Sequence, residues 1–262
     1  MPFFPQLQSL AMAQYPFDET HVFRTVLLQT EGGRMWRYAD TEARRILWRL
    51  TLSSLRDEER LAIDSLFTEC CGSLRTFTFI DPADNLLRHS EELLQSAWVR
   101  TGGIEVLEGQ ADPWSTNRAN RLTNPTVAEQ RLSQVLPVPS AFYYHLSVFM
   151  RSAVPSKAGI GIGTTDGGIR KDFALDGTWR RYSVAGTPGG LADEVEARIY
   201  LESGASIDIT GVQLEAQAGR SRYRPTGGSS GVHAEARFST DRLTWTTYAE
   251  NVHGTVIEIV GR

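Results

Sequence analysis

The feature that most constrains this chain is a one-by-one alternation of apolar and polar residues, which is typical of strands with one buried face. Segments 45–52, 142–151 and 194–202 all show it, with glycine-rich turns between the later ones. Helical periodicity is strong in one stretch only. The alternation therefore predicts a mainly β protein built from antiparallel sheets.

The single predicted helix follows the first alternating strand. Ser54-Leu55-Arg56-Asp57 is typical of a helix start, because the serine oxygen can accept an orphan N–H and acidic residues suit the positive helix end. We expect the helix to run to about Cys71, with Gly72 adopting the left-handed stop. A strand over Leu74–Ile80 follows. The stripe predicted to be buried on the helix comprises Ala62, Ile63, Leu66, Phe67 and Cys70.

The last 36 residues (227–262) carry three strand patterns, at 232–238, 243–249 and 255–260. So short a piece does not hold a core alone, so these strands must pair with the strand at 45–52 or the one at 74–80. We therefore predict one discontinuous α+β domain, a β-sandwich with one helix, formed by residues 1–82 and 227–262. Residues 83–226 form an inserted antiparallel β-sandwich or jelly roll.

Alternation also assigns the two faces of the inserted strands. Residues predicted to face its core are Phe142, Tyr144, Leu146, Val148 and Met150, then Val195, Ala197, Ile199 and Leu201, then Ile207 and Ile209. Their neighbours in sequence, including Tyr143, His145, Phe149, Arg198 and Tyr200, face outward.

Charge and composition exclude several classes of function. With 27 basic and 31 acidic residues the net charge is −4, which disfavours binding to a phosphate backbone. No run of 18 apolar residues or export signal is present, so we expect no membrane span. The adjacent Cys70 and Cys71 are expected to stay reduced, and the five histidines show no metal-ligand or triad spacing. We expect no cofactor, no metal and no catalytic residue.

Aromatic side chains are the candidates for ligand binding, because sugars stack their apolar faces on flat rings beside a few planar polar groups. Trp114 lies in a turn with no periodic packing partner. The candidate carbohydrate-binding residues are Trp114, Tyr143, His145, Arg198 and Tyr200. Each could equally contact a neighbouring subunit. We expect Trp48, Trp98, Trp179 and Tyr182 to be packing residues instead.

Two other kinds of site are weighed and rejected. Gly159-Ile160-Gly161-Ile162-Gly163 lacks both the spacing and the following helix of a phosphate-binding loop, and is expected to be an irregular strand and turn. A glycosidase needs two carboxylates at a fixed separation, and the insert offers Glu194, Glu196, Glu202 and Glu215. The first three fit the solvated face of one strand.

The first part of the chain resembles a known family. The order of a Trp-bearing strand (Ile46-Leu47-Trp48-Arg49-Leu50), a helix containing Leu66-Phe67, Gly72 and Phe77-Thr78-Phe79-Ile80-Asp81-Pro82 is similar to the amino-terminal domain of phage distal tail proteins and of baseplate proteins of gene transfer agents. This resemblance implies a homohexameric ring in the virion that joins the tail tube to the hub and tail tip, assembled in the host cytoplasm.

The inserted segment resembles the carbohydrate-binding-like β-sandwich modules of phage tail proteins. Its opening at 85–91, which resembles that family's first strand and turn, is followed by Trp98, and later motifs fit in order: Asn120-Arg121-Leu122, Trp179-Arg180-Arg181-Tyr182-Ser183, Val212-Gln213-Leu214-Glu215 and Tyr223-Arg224-Pro225-Thr226. The resemblance implies host adhesion through surface glycans.

The sequence thus predicts a structural viral protein of the tail or baseplate, without enzymatic activity, that carries a glycan-binding module. Two alternatives stay open at this point. One is a tail-associated glycan hydrolase that uses the carboxylates of the insert. The other is a free lectin-like binding protein with no role in assembly.

Overall fold

The computed structural model describes residues 1–165 and 167–261, and the chain divides into two compact units. The first unit comprises Met1–Gln8, Ala13–Phe79 and the chain from His233 onward, and the second comprises Ser9–Met12 and Ile80–Val232. The boundaries thus lie at 79/80 and 232/233, where the sequence predicts 82/83 and 226/227. Antiparallel strands dominate and the helical content is small, so the predicted mainly β class is confirmed.

The elements are numbered in chain order. The first unit contains β1 (Phe17–Gln29), β2 (Met35–Leu55), α1 (Asp57–Glu69), β3 (Phe77–Ile80), β14 (Val232–Phe238), β15 (Trp245–Ala249) and β16 (Val252–Gly261). The second contains β4 (Val99–Arg100), β5 (Glu105–Gln110), β6 (Ala119–Thr123), β7 (Gln130–Leu136), β8 (Tyr144–Arg151), β9 (Ser156–Thr164), β10 (Gly167–Leu175), β11 (Arg180–Gly186), β12 (Val195–Leu201) and β13 (Ser206–Glu215).

The first unit is built on one sheet, here called sheet A, with the order β1-β2-β16-β14-β3 and β15 paired to β16. The carboxy-terminal strand β16 lies in the middle, where Ile259 pairs with Trp48 and Ile257 with Leu50. Strand β14 lies between β16 and β3. The expectation that the last strands pair beside the early ones is therefore confirmed.

The core of the first unit is aromatic and lies on one face of sheet A. Trp48 is buried and its ring centroid lies 4.9 Å from that of Phe79 and 4.6 Å from that of His233. Phe238 contacts Phe67 of α1 at 5.0 Å and Phe77 at 4.8 Å. The alternation in β2 predicted the buried face correctly, since Trp48, Leu50 and Leu52 are all buried.

The start of α1 differs from the prediction. The residue at the N-cap is Arg56, whose N–H donates to the Glu59 carboxylate at 2.9 Å, and Ser54 belongs to β2 with φ of 55°. Strand β2 continues to Leu55 because His253 of β16 pairs with that residue. At the other end, Gly72 has φ of 66° and stops the helix as expected. Ala62 is exposed, and β3 begins at Phe77 instead of Leu74.

A long β-hairpin precedes the predicted elements. Strand β1 pairs with β2 from Phe17–Leu50 to Gln29–Met35. Pairing of β2 with β16 ends where Ile46 meets Gly261. The described residues of β2 that come before Ile46 in sequence pair with β1 alone. The hairpin therefore continues as a two-stranded ribbon past the edge of β16.

The second unit is an antiparallel β-sandwich, as predicted. One five-stranded sheet, sheet B, has the order β10-β9-β12-β7-β4, and the other, sheet C, has the order β11-β8-β13-β6-β5. The residues predicted to face the core from β8, β12 and β13 are buried, and Phe142, just before β8, is half-buried.

Strand β9 is regular, although its glycines predicted an irregular segment. Ile160 and Ile162 face the core, while Gly159, Gly161 and Gly163 lie on the outer face. A Cβ added at Gly163 would come within 2.3 Å of the Arg198 guanidinium, and one at Gly161 within 3.2 Å of the Tyr200 ring. The glycines therefore make space for the side chains of the neighbouring strand β12.

The two ends of the second unit are hydrogen-bonded side by side. The buried Asn85 amide donates to Val212 O at 2.9 Å and accepts the N–H groups of Leu87 and Leu214, each at 3.1 Å. Near the exit, His89 N donates to Gly227 O at 2.7 Å. The resemblance implied a strand at the start of this unit. In the structure, the segment that begins at residue 85 is held by the hydrogen bonds of the Asn85 side chain instead.

In the described part of the chain, no helix has the length and apolar character needed to cross a bilayer.

A shortened chain that ends at Thr226 tests the dependence of the first unit on its last strands. Without β14 and β16, residues 46–55 of β2 lose their inner partner, so we expect the first unit to lose cooperative melting while the sandwich keeps its own transition. Differential scanning calorimetry of the full and shortened chains measures this. Two intact transitions in the shortened chain would contradict it.

Candidate functional site

The five predicted carbohydrate-binding residues do not lie together. Arg198 and Tyr200 belong to β12, on the outer face of sheet B. His145 belongs to β8 in sheet C, Tyr143 directly precedes that strand, and Trp114 lies in the loop between β5 and β6. The outer faces of a two-layer sandwich point in opposite directions. These residues therefore cannot line one groove.

Trp114 is the centre of an aromatic cluster on the outer side of sheet C. Its indole stacks on Tyr223 with a centroid distance of 5.6 Å and an interplanar angle of 9°. It meets Phe149 of β8 edge to face at 5.0 Å. The side chain is still 44% exposed. The expectation that Trp114 has no packing partner is wrong, because the chain returning after β13 brings Tyr223 beside it.

A bulge in β13 makes room for this cluster. The pairing of β13 with β8 shifts between Thr210 and Gln213, and Gly211 between them has φ of 64°. A Cβ at Gly211 would lie 3.2 Å from the Phe149 ring, 3.3 Å from that of Trp114 and 3.5 Å from that of Tyr223. A glycine is needed here for two reasons, because the backbone is left-handed and three rings converge on it.

The loop that carries Trp114 is organised around one carboxylate. Asp112 accepts the N–H groups of Trp114 at 2.7 Å, Thr116 at 3.0 Å and Arg118 at 2.8 Å, and the Thr116 hydroxyl at 2.5 Å. These bonds hold Ser115 and Asn117 at φ of 61° and 53°. The position of the indole is therefore set by the protein itself.

The same hydrogen bonds change the acidity of Asp112. Burial alone would raise the pKa of this carboxyl, but the bonds from Arg118, Thr116 and Trp114 outweigh burial and lower the pKa to about 2. Asp112 is thus ionised wherever the protein is handled near neutral pH.

A hydrogen bond to Ser90 holds Tyr223 in position. Its hydroxyl and that of Ser90 lie 2.8 Å apart in a hydrogen bond. Burial raises the pKa of Tyr223, so this ring is a neutral, fixed support for the indole above it.

Arginines and a second tryptophan extend the cluster along sheet C. The Arg181 guanidinium lies 5.5 Å from the Phe149 ring centre, and that of Arg151 lies 4.8 Å from that of Trp179. Arg151 also donates to Asp208 at 3.1 Å. We call this set the aromatic strip. Its members are Trp114, Phe149, Arg151, Trp179, Arg181 and Tyr223.

The tryptophans expected to be core differ from one another. Trp98 is buried and donates its indole N–H to His89 O at 3.0 Å, as expected of a packing residue. Trp179 is partly exposed, so its assignment to the core is wrong. It directly precedes β11, at the edge of sheet C, where Arg151 covers one side of its ring. Tyr182 is partly exposed as well, 4.8 Å from Phe173.

The outer face of sheet B offers a different surface. Arg170 lies 4.1 Å over the ring centre of Tyr200 and pairs with both oxygens of Glu129, at 2.7 and 2.6 Å. Arg198 donates to Glu196 at 2.6 Å. The ring and the guanidinium groups are therefore already engaged with one another, which leaves Tyr200 less free to stack on a ligand than Trp114.

His145 is engaged through one ring nitrogen, and its other ring nitrogen, Nε2, is buried. Its Nδ1 lies 3.1 Å from Ala218 O, in the turn that follows β13. Of the predicted site residues, Trp114 is thus the one that presents an open aromatic surface. Within residues 1–165 and 167–261, no group of three or more His, Cys, Asp or Glu side chains could hold a metal ion.

Several members of the strip were not predicted. The outward position of Phe149 could be predicted from the alternation of β8, which places it on the same face as His145. Tyr223 and Trp179 lie far from Trp114 in sequence. The return of the chain after β13 brings Tyr223 against Trp114, and the pairing of β11 with β8 places Trp179 beside Arg151. No local pattern contains that information.

Comparison with known proteins identifies distant structural neighbours. No family model matches the sequence, and no curated protein matches it. Among solved structures, the tandem carbohydrate-binding module CBM22-1-CBM22-2 of Paenibacillus barcinonensis Xyn10C aligns with a TM-score of 0.44 and 14% identity, over 66% of this chain and 60% of that chain. The enzymatically active domain of bacteriophage CBA120 tailspike protein 4 aligns with a TM-score of 0.41 and 19% identity, over 52% of this chain and 22% of that chain.

A family 11 carbohydrate-binding module from Clostridium thermocellum aligns with a TM-score of 0.39 and 10% identity, over 52% of this chain and 98% of that chain. The structural neighbours thus include a phage tailspike domain and carbohydrate-binding modules.

Replacing Asp112 by Asn tests the organisation of the Trp114 loop. At pH 7 we expect the free energy of unfolding to fall by about 1–2 kcal/mol, because charge-assisted hydrogen bonds are lost. The ionised form stabilises the fold above the unfolded pKa near 4, and this contribution is lost as pH falls through about 2. The gap between wild type and variant should therefore narrow from pH 4 to pH 2 in thermal melts. Asp193→Asn, at an exposed position, is the control; an equal effect there would contradict this.

Replacing Gly211 by Ala tests the convergence of the three rings. The added methyl meets Phe149, Trp114 and Tyr223 at a left-handed φ, so we expect a loss of about 1–3 kcal/mol and a red shift of the Trp114 fluorescence as the indole is displaced. Gly219→Ala is the matched control, because a Cβ there meets nothing within 4 Å. Equal stability of the two variants would show that the rings do not depend on Gly211.

Proposed function

We propose that the second unit is a carbohydrate-binding module and that the aromatic strip is its binding surface. The observation that carries the proposal is the open indole of Trp114, which four hydrogen bonds to Asp112 and a stacked Tyr223 hold in position. A large exposed aromatic side chain fixed by its own supporting contacts is what recognition of a flat ligand requires.

The chemistry of the strip suits a sugar. The apolar C–H face of a pyranose packs on an indole, and guanidinium groups donate paired hydrogen bonds to its hydroxyls. Trp114 and Trp179 supply the first kind of contact, and Arg151 the second. Arg181 already donates to Ser221 O at 2.6 Å and to Ser147 Oγ at 2.8 Å and packs on Phe149, so it supports the strip instead of contacting the ligand. The open, shallow arrangement suits one part of a polysaccharide chain.

We further propose that this unit binds glycan without cleaving it. Glu196 lies on the outer face of sheet B and Glu215 on that of sheet C, so these two carboxylates do not flank one bond. Burial would raise the pKa of Glu196, but bonds from Ser133 and Arg198 lower it, which opposes a role as an acid catalyst at neutral pH. A hydrolase that pairs Glu196 with Glu215 therefore has less support.

Substitutions on the two outer faces distinguish the binding surface. We expect Trp114→Ala to weaken binding at least tenfold, because about 1.4 kcal/mol or more of stacking contact is lost, and Tyr200→Ala to leave it unchanged. Affinity electrophoresis against β-glucans, galactans, xylans and bacterial surface polysaccharides measures this. If Tyr200→Ala lost binding and Trp114→Ala kept it, the binding surface would lie on sheet B and the proposal would be wrong.

For the whole chain we propose a structural role in a phage or phage-like tail, as a homo-oligomeric ring subunit between tail tube and tail tip. The support is the resemblance of the first unit's strand, helix and strand order to distal tail proteins, together with the exposed ribbon of β1 and β2. In this role the modules add adhesion to host glycans, and several weak sites on one ring act together.

Ring formation separates this proposal from a free lectin-like protein. We expect purified full-length chain to form closed rings of uniform size, six subunits being implied by the resemblance, because a heterologous contact repeated with rotational symmetry closes on itself. Negative-stain electron microscopy and light scattering measure this. A monodisperse monomer at high concentration would support the lectin alternative.

A further inference from the structure

Three charged side chains lie in a row across the outer face of sheet C, next to the aromatic strip. The register places Asp208 of β13 opposite Arg121 of β6 on one side and opposite Arg151 of β8 on the other. Residues directly opposite one another in neighbouring strands point to the same face of a sheet. Trp179 continues the row beyond Arg151, whose guanidinium lies 4.8 Å from the indole centre. We call Arg121, Asp208 and Arg151 the arginine row.

Asp208 is the buried centre of the arginine row. Its side chain is 6% exposed, whereas those of Arg121 and Arg151 are 41% and 28% exposed. Arg121 donates to the two carboxylate oxygens through Nε and Nη2, at 2.8 and 3.2 Å, and Arg151 donates through Nε at 3.1 Å. Two fixed guanidinium groups thus share one carboxylate, so the row has an excess of one positive charge.

Both guanidinium groups keep donors that the fold does not use. Within the described residues, Nη1 of Arg121 and Nη1 of Arg151 have no hydrogen-bond partner, and Nη2 of Arg151 makes only a long contact of 3.4 Å with Ala111 O. Planar guanidinium groups with free N–H groups bind carboxylates and phosphates through paired hydrogen bonds. The arginine row is therefore complementary to a second anion.

Two other carboxylates belong to neighbouring loops, and neither supplies that anion. Asp112 already accepts the four hydrogen bonds that hold the Trp114 loop. Glu202 is exposed and lines a cleft of about 460 Å³ together with Arg121 and Asp208. Among the residues that the structure describes, neither Asp112 nor Glu202 forms an ion pair with the row. A cleft of this volume is large enough for a sugar ring.

The net charge of the chain has the opposite sign to that of the arginine row. The whole chain carries a net charge of −4. Salt screens exposed charges beyond about 8 Å at physiological ionic strength, so an anion in contact with the row interacts mainly with Arg121, Arg151 and Asp208. The local excess of positive charge therefore decides which ligands bind at this position.

We propose that the glycan bound by the second unit is acidic, and that the arginine row binds the carboxylate or phosphate group of one of its sugar residues. This inference rests on the proposed carbohydrate-binding function and narrows the class of ligand. The partly exposed Trp179 packs on the ring of the acidic sugar or of its neighbour. Arg121 lies outside the aromatic strip and is the residue that the inference adds to the binding surface.

Matched pairs of polysaccharides test the charge requirement with the full-length chain. The acidic members are polygalacturonate, alginate, hyaluronan and phosphomannan, and the neutral members are the same polymers after carboxyl reduction or removal of phosphate. We expect at least one acidic polymer to bind at least tenfold more tightly than its neutral partner. The preference should fall as salt rises, because exposed charges are screened. Isothermal titration calorimetry measures the affinities, and the preferred polymer identifies carboxylate or phosphate as the anion.

Substitution of Arg121 separates the arginine row from the aromatic strip. We expect Arg121→Gln to reduce the preference for the acidic polymer about tenfold, because charged, paired donors are lost. Arg121→Lys should retain part of the preference, since it keeps the charge beside Asp208 without the planar fork. Arg100→Gln removes an exposed arginine of β4 in sheet B and is the matched control, which should bind as wild type. Thermal melts confirm that each variant is folded.

The possible outcomes separate this inference from the function on which it rests. Equal binding of every acidic polymer and its neutral partner would overturn the inference and leave carbohydrate binding standing. An acidic preference that Arg121→Gln and Arg121→Lys leave unchanged would also overturn it, because the anion would then bind elsewhere. If no polymer binds, acidic or neutral, the proposed function fails together with the inference.

Discussion

The second unit depends on hydrogen bonds that join its first segment to its last strand. The buried Asn85 amide bridges residues 85–87 to Val212 and Leu214 of β13, and the backbone of His89 pairs with Gly227. A buried amide that lost these partners would leave several polar groups unsatisfied, each at a cost of about 1–3 kcal/mol. This closure fixes where the chain runs after β13. The returning segment places Tyr223 against the indole ring of Trp114. The hydrogen bonds of Asn85 that close the sandwich therefore also position a residue of the candidate site.

The sequence was sufficient for features that depend on local periodicity. Alternation predicted the buried faces of β2, β8 and β12, because burial on one face of a strand leaves a direct trace in residue order. The stop after α1 was predicted from Gly72, a residue that adopts the left-handed conformation without strain. The nesting of early and late strands in sheet A also followed, since a 36-residue piece needs a partner. Each of these inferences used residues that are close in sequence or a simple limit on the size of a core.

Features that depend on how distant strands pair could not be predicted from the sequence. Ser54 looks like a helix cap, yet pairing with β16 keeps that stretch in β2. The hairpin of β1 and β2 was not anticipated, because its faces are exposed and so leave no buried stripe. In the candidate site, Trp114 was identified, but Arg198 and Tyr200 lie on the opposite sheet. Alternation shows that a residue faces outward; it does not show from which sheet.

The adjacent ends of the second unit have a consequence for how such a chain can change over evolutionary time. Since the segment at Asn85 and the segment at Gly227 run side by side, the coding sequence between them can be exchanged for that of another compact module with neighbouring ends. The register of β2, β16 and β14 is set by residues outside that interval and is unaffected by the exchange. A lineage can thus acquire a different second unit in one recombination event while the first unit is inherited unchanged.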